Sequence, residues 1–357
     1  MNKADRERYF SILANIEQPT ETDTAESRVL IIDSTNTVIR SHCAAPVMSD
    51  TGEHVGGITG YFLSVNYAIR NINPTRVIHV FDGKGGSSRR RKLFPGYKAK
   101  RATSKNILNT SLYTTPEAEV QSLNNQMLTL VEYLKVLPVS MMCHDYVEAD
   151  DVIAYITEYY MQKNETTKVH IMSTDKDFLQ LVNDRVVVWS PTKKKFYDEA
   201  RIQEEFGIPP QNLVFARAMD GDPSDEIPGV KGWGLKTIHK RLPFLSEKVT
   251  DLSTDTIFTY IADKIDDAKV YKVLQENKKQ YELNYKLMQL SSVDISGTTK
   301  EAIRYQLEEP INRLAKHKFI QRLVADGLHT SIKSPETWIR DNYRKLDTFA
   351  SMANNKQ

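Results

Sequence analysis

Arg28-Val29-Leu30-Ile31-Ile32-Asp33-Ser34 is a continuous apolar run that ends at a carboxylate. A strand with one wet face alternates polar and apolar residues, whereas a strand covered on both faces reads as an unbroken apolar run. This stretch therefore predicts a buried parallel strand. The pattern returns at Arg76 to Asp82 (RVIHVFD) and at Val169 to Asp175 (VHIMSTD), and Val186 to Trp189 predicts a further short strand. Helical periodicity fills the intervals, over Gly60 to Ile72, Glu117 to Val136 and Ala149 to Met161. In the second of these, Val120, Leu123, Met127, Val131 and Leu134 share one face. Strand alternating with helix predicts the α/β class, a mostly parallel sheet flanked by helices.

Beyond Asp198 the strand signal fades. Arg201 to Phe206, Pro210 to Met219 and Trp233 to Leu242 read as short helices separated by Gly and Pro. The expected organisation is an extension over 1–27, an α/β catalytic domain over 28–200, a helical domain over 201–345 and a tail over 346–357.

With 357 residues, 40% of them hydrophobic, the chain can build a sizeable core, and its net charge of +2 says little about partners. Two distant cysteines, Cys43 and Cys143, argue against a disulfide framework or a four-cysteine zinc site. They read as reduced thiols, so a cytoplasmic location is expected. No run of 18 apolar residues occurs, and residues 1–27 lack the apolar centre of a signal peptide, so no membrane association is expected.

Three predicted strands end in an Asp: Asp33, Asp82 and Asp175. Ligands of open parallel sheets bind outside the carboxyl ends of the strands, so these side chains should meet at one rim. A single such Asp is more often a turn residue or a helix cap. Two clusters join them, Glu148-Ala149-Asp150-Asp151 at a helix start and Asp175-Lys176-Asp177. Asp222 and Asp225 follow in a Gly-Asp-Pro-Ser-Asp turn. Glu148, Asp150 and Asp151 repel one another more than helix capping requires, and a cation would relieve that cost. Oxygen donors without His or Cys select hard ions such as Mg²⁺ or Mn²⁺. Two such ions, about 3.5–4 Å apart, can activate a water and stabilise the leaving oxygen in phosphodiester hydrolysis.

From Gly83 to Lys105 nine Lys or Arg residues occur with no acid, among them Arg89, Arg90, Lys98, Arg101 and Lys105. A charge run is usually a solvated surface. This one begins directly after Asp82, which suits a polyanionic substrate whose phosphates meet the bases. Tyr97 could stack on a nucleobase or equally pack in the protein. Gly229-Val230-Lys231-Gly232-Trp233-Gly234, followed by Lys236, is a turn entering a helix. Its glycines would let a backbone phosphate approach main-chain N–H groups, although an ordinary interhelical turn reads similarly.

In this order, Asp33, Phe81-Asp82-Gly83, Tyr97-Lys98-Ala99-Lys100-Arg101, Glu148-Ala149-Asp150-Asp151, Thr174-Asp175-Lys176-Asp177-Phe178 and Gly221-Asp222-Pro223-Ser224-Asp225 through Gly234 resemble the 5′-nuclease family. That family includes flap endonucleases, the 5′-exonuclease domains of DNA polymerase I and the phage 5′-exonucleases with RNase H activity. The resemblance spans roughly residues 28 to 245. It implies a PIN-like (resolvase-like) fold followed by a helix-hairpin-helix element. It implies Asp33, Asp82, Glu148 and Asp150 around one metal, and Asp151, Asp175, Asp177, Asp222 and Asp225 around a second. Lys98 and Arg101 match residues acting on the scissile phosphate. Residues 84–118 would form an arch for a single strand. Arg89, Arg90, Tyr97, Gly229, Val230, Lys231, Gly232, Gly234 and Lys236 would contact DNA, with K⁺ at the turn. The expected substrate is DNA with a 5′ flap or 5′ end, or an RNA/DNA hybrid, and the expected partners are a single-strand-binding protein or sliding clamp. The stand-alone architecture is similar to that of phage enzymes, which would place the protein in a host cytoplasm. The competing readings are a catalytically inactive DNA-binding module of the same fold and a PIN-type ribonuclease. A dead relative would be expected to have lost acids or Lys98, and PIN ribonucleases carry fewer acids and no such turn.

Overall fold

The computed structural model describes residues 23–100, 109–248, 252–292 and 294–355. One six-stranded sheet is built from β1 (Arg28–Asp33), β2 (Arg76–Asp82), β3 (Ser140–His144), β4 (Lys168–Met172), β5 (Val186–Ser190) and β6 (Lys195–Tyr197). Its strand order is β3-β2-β1-β4-β5-β6. The first five strands are parallel and β6 returns antiparallel to β5. β3 and β6 are additions to the sequence reading. The mixed burial of Ser140–His144 gives β3 no apolar run, and β6 is only three residues long.

Successive residues of a strand face opposite sides. Val29 and Ile31 accordingly enter one core, with Ile78, Val80, Val169 and Ile171, and Leu30 and Ile32 enter the other, with Val77 and Phe81. Each of Leu30, Ile31 and Ile32 is completely buried, worth about 1.5–3 kcal/mol apiece relative to exposure. Among the described residues the helices of the first half are α1 (Ser34–Ala44), α2 (Gly56–Ile72), α3 (Ser88–Leu93), α4 (Pro116–Leu134) and α5 (Ala149–Lys163). Those of the second half are α6 (Glu199–Phe206), α7 (Pro210–Asp220), α8 (Leu235–Arg241), α9 (Thr254–Asp263), α10 (Lys269–Glu276), α11 (Lys278–Met288), α12 (Gly297–Glu308), α13 (Lys316–Ala325) and α14 (Pro335–Asn354). The second half shares both cores with the sheet: Ile238, Ile257 and Tyr281 join the first, and Phe319, Tyr343 and Leu346 the second. Among the described residues no helix is long and apolar enough to cross a membrane.

Two expectations are corrected here. Residues 346–357 do not form a free tail as far as they are described, because α14 runs to Asn354 and buries Leu346, Phe349 and Ala350. Val120 does not belong to the buried face of α4, since it is 55% exposed. The early turns of α4 instead bury polar side chains that hold backbone donors. Glu119 accepts from the Asn109 N–H at 2.7 Å, and the Gln126 carbonyl accepts from the Gly57 N–H at 2.8 Å.

Candidate active site

The parallel register carries the ends of β1, β2 and β4 to a common rim. Asp33 closes β1 and caps α1, accepting from the Asn36 N–H at 3.2 Å and from the Ser173 hydroxyl at 2.8 Å. Asp82 closes β2 and accepts from the Ala149 N–H at 2.8 Å, at the start of α5. Asp175 follows β4, caps the 3₁₀ turn Lys176–Leu181 and accepts from the Asp177 N–H at 2.8 Å. Asp150 enters from the first turn of α5, just after the helix cap Glu148. Helix N-termini favour carboxylates, which explains why α5 can carry this charge.

The charges are close enough to perturb one another. Burial, with the Asp82 and Asp175 charges added and the Ser173 hydroxyl opposing, pushes Asp33 up to about 7. Burial and then Asp175 hold Asp150 well above the usual carboxylate range, against the pull of Lys98. Burial and Asp175 push Asp177 up to about 7, against Arg217. Among the described residues no three His, Cys, Asp or Glu side chains already stand as a ligand set. Asp33, Asp82, Asp175 and Asp177 are each turned to a protein donor instead, as carboxylates that repel one another would be. Hard oxygen donors whose charges are costly together fit a divalent cation.

Opposite them stands Lys98. Its Nζ lies 2.7 Å from Glu148 Oε1 and 3.6 Å from Asp225 Oδ2. Burial alone would lower its pKa, but Asp150, Glu148 and Asp225 overcome that, so the ammonium is held well above the ordinary lysine value. Glu148 is lowered, because Lys98 and Arg90 overcome its burial.

Four site expectations change at this point. Arg90 is 3% exposed and is bound by Asp151, Glu148 and the Leu287 carbonyl, so it is not on a DNA-facing surface. Tyr97 is 2% exposed and its hydroxyl donates to Glu148, which excludes base stacking in this arrangement. Asp151 has both oxygens engaged by Arg90 and is also paired with Arg89 at 3.2 Å, so it faces the arginines rather than the acid rim. Arg89 is likewise turned inward onto Asp151 rather than free for DNA. The cause is that buried carboxylates need counter-charge and hydrogen-bond donors, which the two arginines and the Tyr97 hydroxyl supply. Arg101 and part of the 84–118 segment lie outside the described residues.

Asp177, Asp222 and Asp225 approach from the far side. Arg217 on α7 bridges the first two, with Nε 2.7 Å from Asp177 and Nη2 2.6 Å from Asp222. Burial would raise Asp222, but the Ser224 hydroxyl and Arg217 hold it below the usual range. The Asp225 carbonyl accepts from the Lys98 N–H at 3.1 Å, which ties the basic segment to this turn. Arg217, Ser173 and Asn36 were not singled out in the sequence. The one signal for Arg217 was a basic residue inside the apolar Leu213–Met219 stretch, five positions before Asp222.

α7, the turn 221–234 and α8 form a helix–turn–helix unit. Gly229 lies against the Asp220 carbonyl, where a Cβ has no room, so that glycine closes the turn. Trp233 is buried and its indole N–H donates to the Val270 carbonyl at 3.0 Å. Val230 is corrected as a DNA contact, since it is buried and its N–H is taken by the Met219 carbonyl at 2.7 Å. Lys231, Gly232, Gly234 and Lys236 remain exposed.

Residues 28–207, half of the chain, match the family model described as 5′-3′ exonuclease, N-terminal resolvase-like domain. The chain belongs to that family. It is 32% identical over 208 residues to the 5′-3′ exonuclease of Aquifex aeolicus (strain VF5), covering 58% of this chain and 66% of that one. It is 27% identical over 316 residues to DNA polymerase I of Bacillus subtilis (strain 168), covering 85% of this chain and 33% of that one. The chain thus spans less than two thirds of the length of these curated relatives. A flap endonuclease of bacteriophage T5, solved as a pseudo-enzyme-product complex with DNA and metal ions, superposes with a TM-score of 0.58 at 20% identity. That superposition covers 84% of this chain and 99% of the T5 chain. The two share the fold, a resolvase-like sheet followed by a helical region.

Proposed function

We propose that this chain is a divalent-metal-dependent 5′ nuclease that hydrolyses DNA phosphodiester bonds at 5′ ends or flaps. The observation that carries this reading is the acid rim: Asp33, Asp150 and Asp177 have pKa values raised by burial and by neighbouring acids, opposite a lysine that stays protonated. Asp33, Asp82, Glu148 and Asp150 would hold one Mg²⁺ or Mn²⁺, and Asp175, Asp177, Asp222 and Asp225 a second. Two such ions lower the pKa of water and neutralise charge on the leaving oxygen. The Lys98 ammonium can meet the developing charge on the phosphoryl oxygens, in a buried setting where such an interaction is strong. Arg217 holds Asp177 and Asp222 side by side, so that both could turn to an arriving ion. Exposed Lys231 and Lys236 would hold duplex backbone without reading sequence.

The test is cleavage of a 5′-labelled flap duplex with Mg²⁺ and with EDTA. A product near the junction that requires Mg²⁺ supports the reading. Tight binding with no cleavage in either condition would move the weight to the inactive DNA-binding module. In a second assay, Lys236→Ala is expected to weaken duplex binding alike across sequences and to reduce the salt slope of log K by about 1. A slope identical to that of the unaltered protein would remove the turn from the DNA interface.

A further inference from the structure

Among the described residues, six non-glycine residues have a left-handed backbone: Asn73, Lys98, Tyr146, Lys194, Glu226 and Ser334. Asn73 and Ser334 end or begin helices, and Lys194 lies between β5 and β6. The other three stand around the acid rim. Lys98 is bonded to Glu148, Glu226 accepts from the Lys100 N–H at 2.7 Å, and Tyr146 comes two residues before Glu148. Strain of this kind persists only where the surroundings enforce it, and it gathers at functional sites.

Tyr146 is the unusual member. Its φ is 64°, which a bulky side chain rarely adopts, yet the residue is 69% exposed, so burial does not repay the strain. The enforcing contacts lie in the two chain segments around it. The Tyr146 N–H donates to the Lys84 carbonyl at 2.9 Å, and the Asp145 carboxylate accepts from the Lys84 N–H at 3.2 Å. The Gly83 N–H donates to the Val147 carbonyl at 3.3 Å. The turn after β2 and the loop before α5 are thus laced side by side. The Tyr146 ring lies along Gly85, whose own φ is 71° and whose added Cβ would stand 3.2 Å from the ring. The lacing holds an aromatic ring out at the rim, between the strand end that bears Asp82 and the helix start that bears Glu148. Exposed Lys84 stands beside it.

We propose that Tyr146 is a substrate-binding residue whose ring stacks on an unpaired nucleobase of the DNA strand at the rim, with Lys84 meeting the adjacent backbone phosphate. The proposal rests on the nuclease reading above and adds to it a contact with a base. Every base has a π face, so the contact carries no sequence preference, but it requires that a base be present.

The experiment compares the unaltered protein with Tyr146→Gly and Tyr146→Phe. Kd is measured in EDTA by anisotropy of a labelled 5′-flap duplex, and kcat and KM are measured with Mg²⁺. A parallel set of flaps carries one abasic nucleotide, moved along the single strand. Glycine suits a positive φ, so Tyr146→Gly should match or exceed the Tm of the unaltered protein. It should raise Kd and KM by roughly ten-fold, within the range for loss of one base–aromatic stack, with kcat nearly unchanged. Tyr146→Phe should behave as the unaltered protein. One abasic position should cost the unaltered protein that same factor and cost Tyr146→Gly nothing. Equal affinity of Tyr146→Gly and the unaltered protein for base-bearing flaps overturns the proposal, as does a loss in Tyr146→Gly that is the same at every abasic position. If the unaltered protein neither binds nor cuts flap DNA, the nuclease reading itself has failed.

Discussion

Lys98→Ala is expected to lower turnover by about a hundred- to a thousand-fold while changing DNA affinity much less, the range for removing one preorganised group that meets transition-state charge. The structure gives reasons to expect the variant to fold. Glu148 keeps Arg90 and the Tyr97 hydroxyl as partners, and the backbone N–H of residue 98 keeps the Asp225 carbonyl. The φ of 52° at this position is no harder for alanine than for lysine. The variant also removes a positive charge from a centre where Asp150, Glu148 and Asp225 all act on it. Divalent ions should therefore bind more tightly to the variant even as cleavage slows, a split that misfolding would not produce. Lys98→Arg should rescue poorly, because a broad planar fork does not replace a compact ammonium wedged between Glu148 and Asp225. Single-turnover cleavage and metal titration by calorimetry measure the two effects. A single-turnover rate equal to that of the unaltered protein would remove Lys98 from the chemistry.

The strands that carry acids were legible because each leaves a local mark. Leu30, Ile31 and Ile32 are buried on both sides of the sheet, so the run has no polar interruption before Asp33. β3 left no such mark, and α1 hid in Ser34-Thr35-Asn36-Thr37, whose hydroxyls bond to the backbone rather than advertise an apolar stripe, as Thr37 does to the Asp33 carbonyl at 2.7 Å. Site residues were legible where the charge sits at a strand end and illegible where it depends on a partner distant in sequence. Arg90 and Lys98 belong to the same basic run, and sequence alone treats both as available to a phosphate. Their difference comes from Leu287 on α11, whose carbonyl holds Arg90 inside at 2.9 Å across 197 positions. Arg217 was missed for the converse reason: it sits among apolar residues of α7, and only the fold brings Asp177, 40 positions away, to its guanidinium.

Asp175→Asn is expected to abolish cleavage and, at neutral pH without metal, to make the protein more stable. The Asp175 charge acts on Asp33, Asp150 and Asp177 alike. Asparagine keeps the shape and still caps the following turn, accepting from the residue 177 N–H. Neutralising position 175 therefore removes repulsion without removing the local structure. The pH dependence fixes the sign. Asp33 and Asp177 hold their protons to about 7 in the folded chain, against 3.8 for an unperturbed Asp. Between those values the folded state binds more protons than the unfolded one, so stability falls as pH rises through that window. The metal-free protein should accordingly lose stability from about pH 4 to 7, on the order of a few kcal/mol for groups shifted this far, and its Tm should fall with it. Mg²⁺ should restore the loss, and Asp175→Asn should flatten the slope without it. Such an exchange of stability for function is what a site of crowded acids implies, since the charges that would bind the ions are the ones the empty fold tolerates least. A variant that cuts at the rate of the unaltered protein, or whose metal-free Tm has the same slope between those pH values, would show that residue 175 is not where the charges meet.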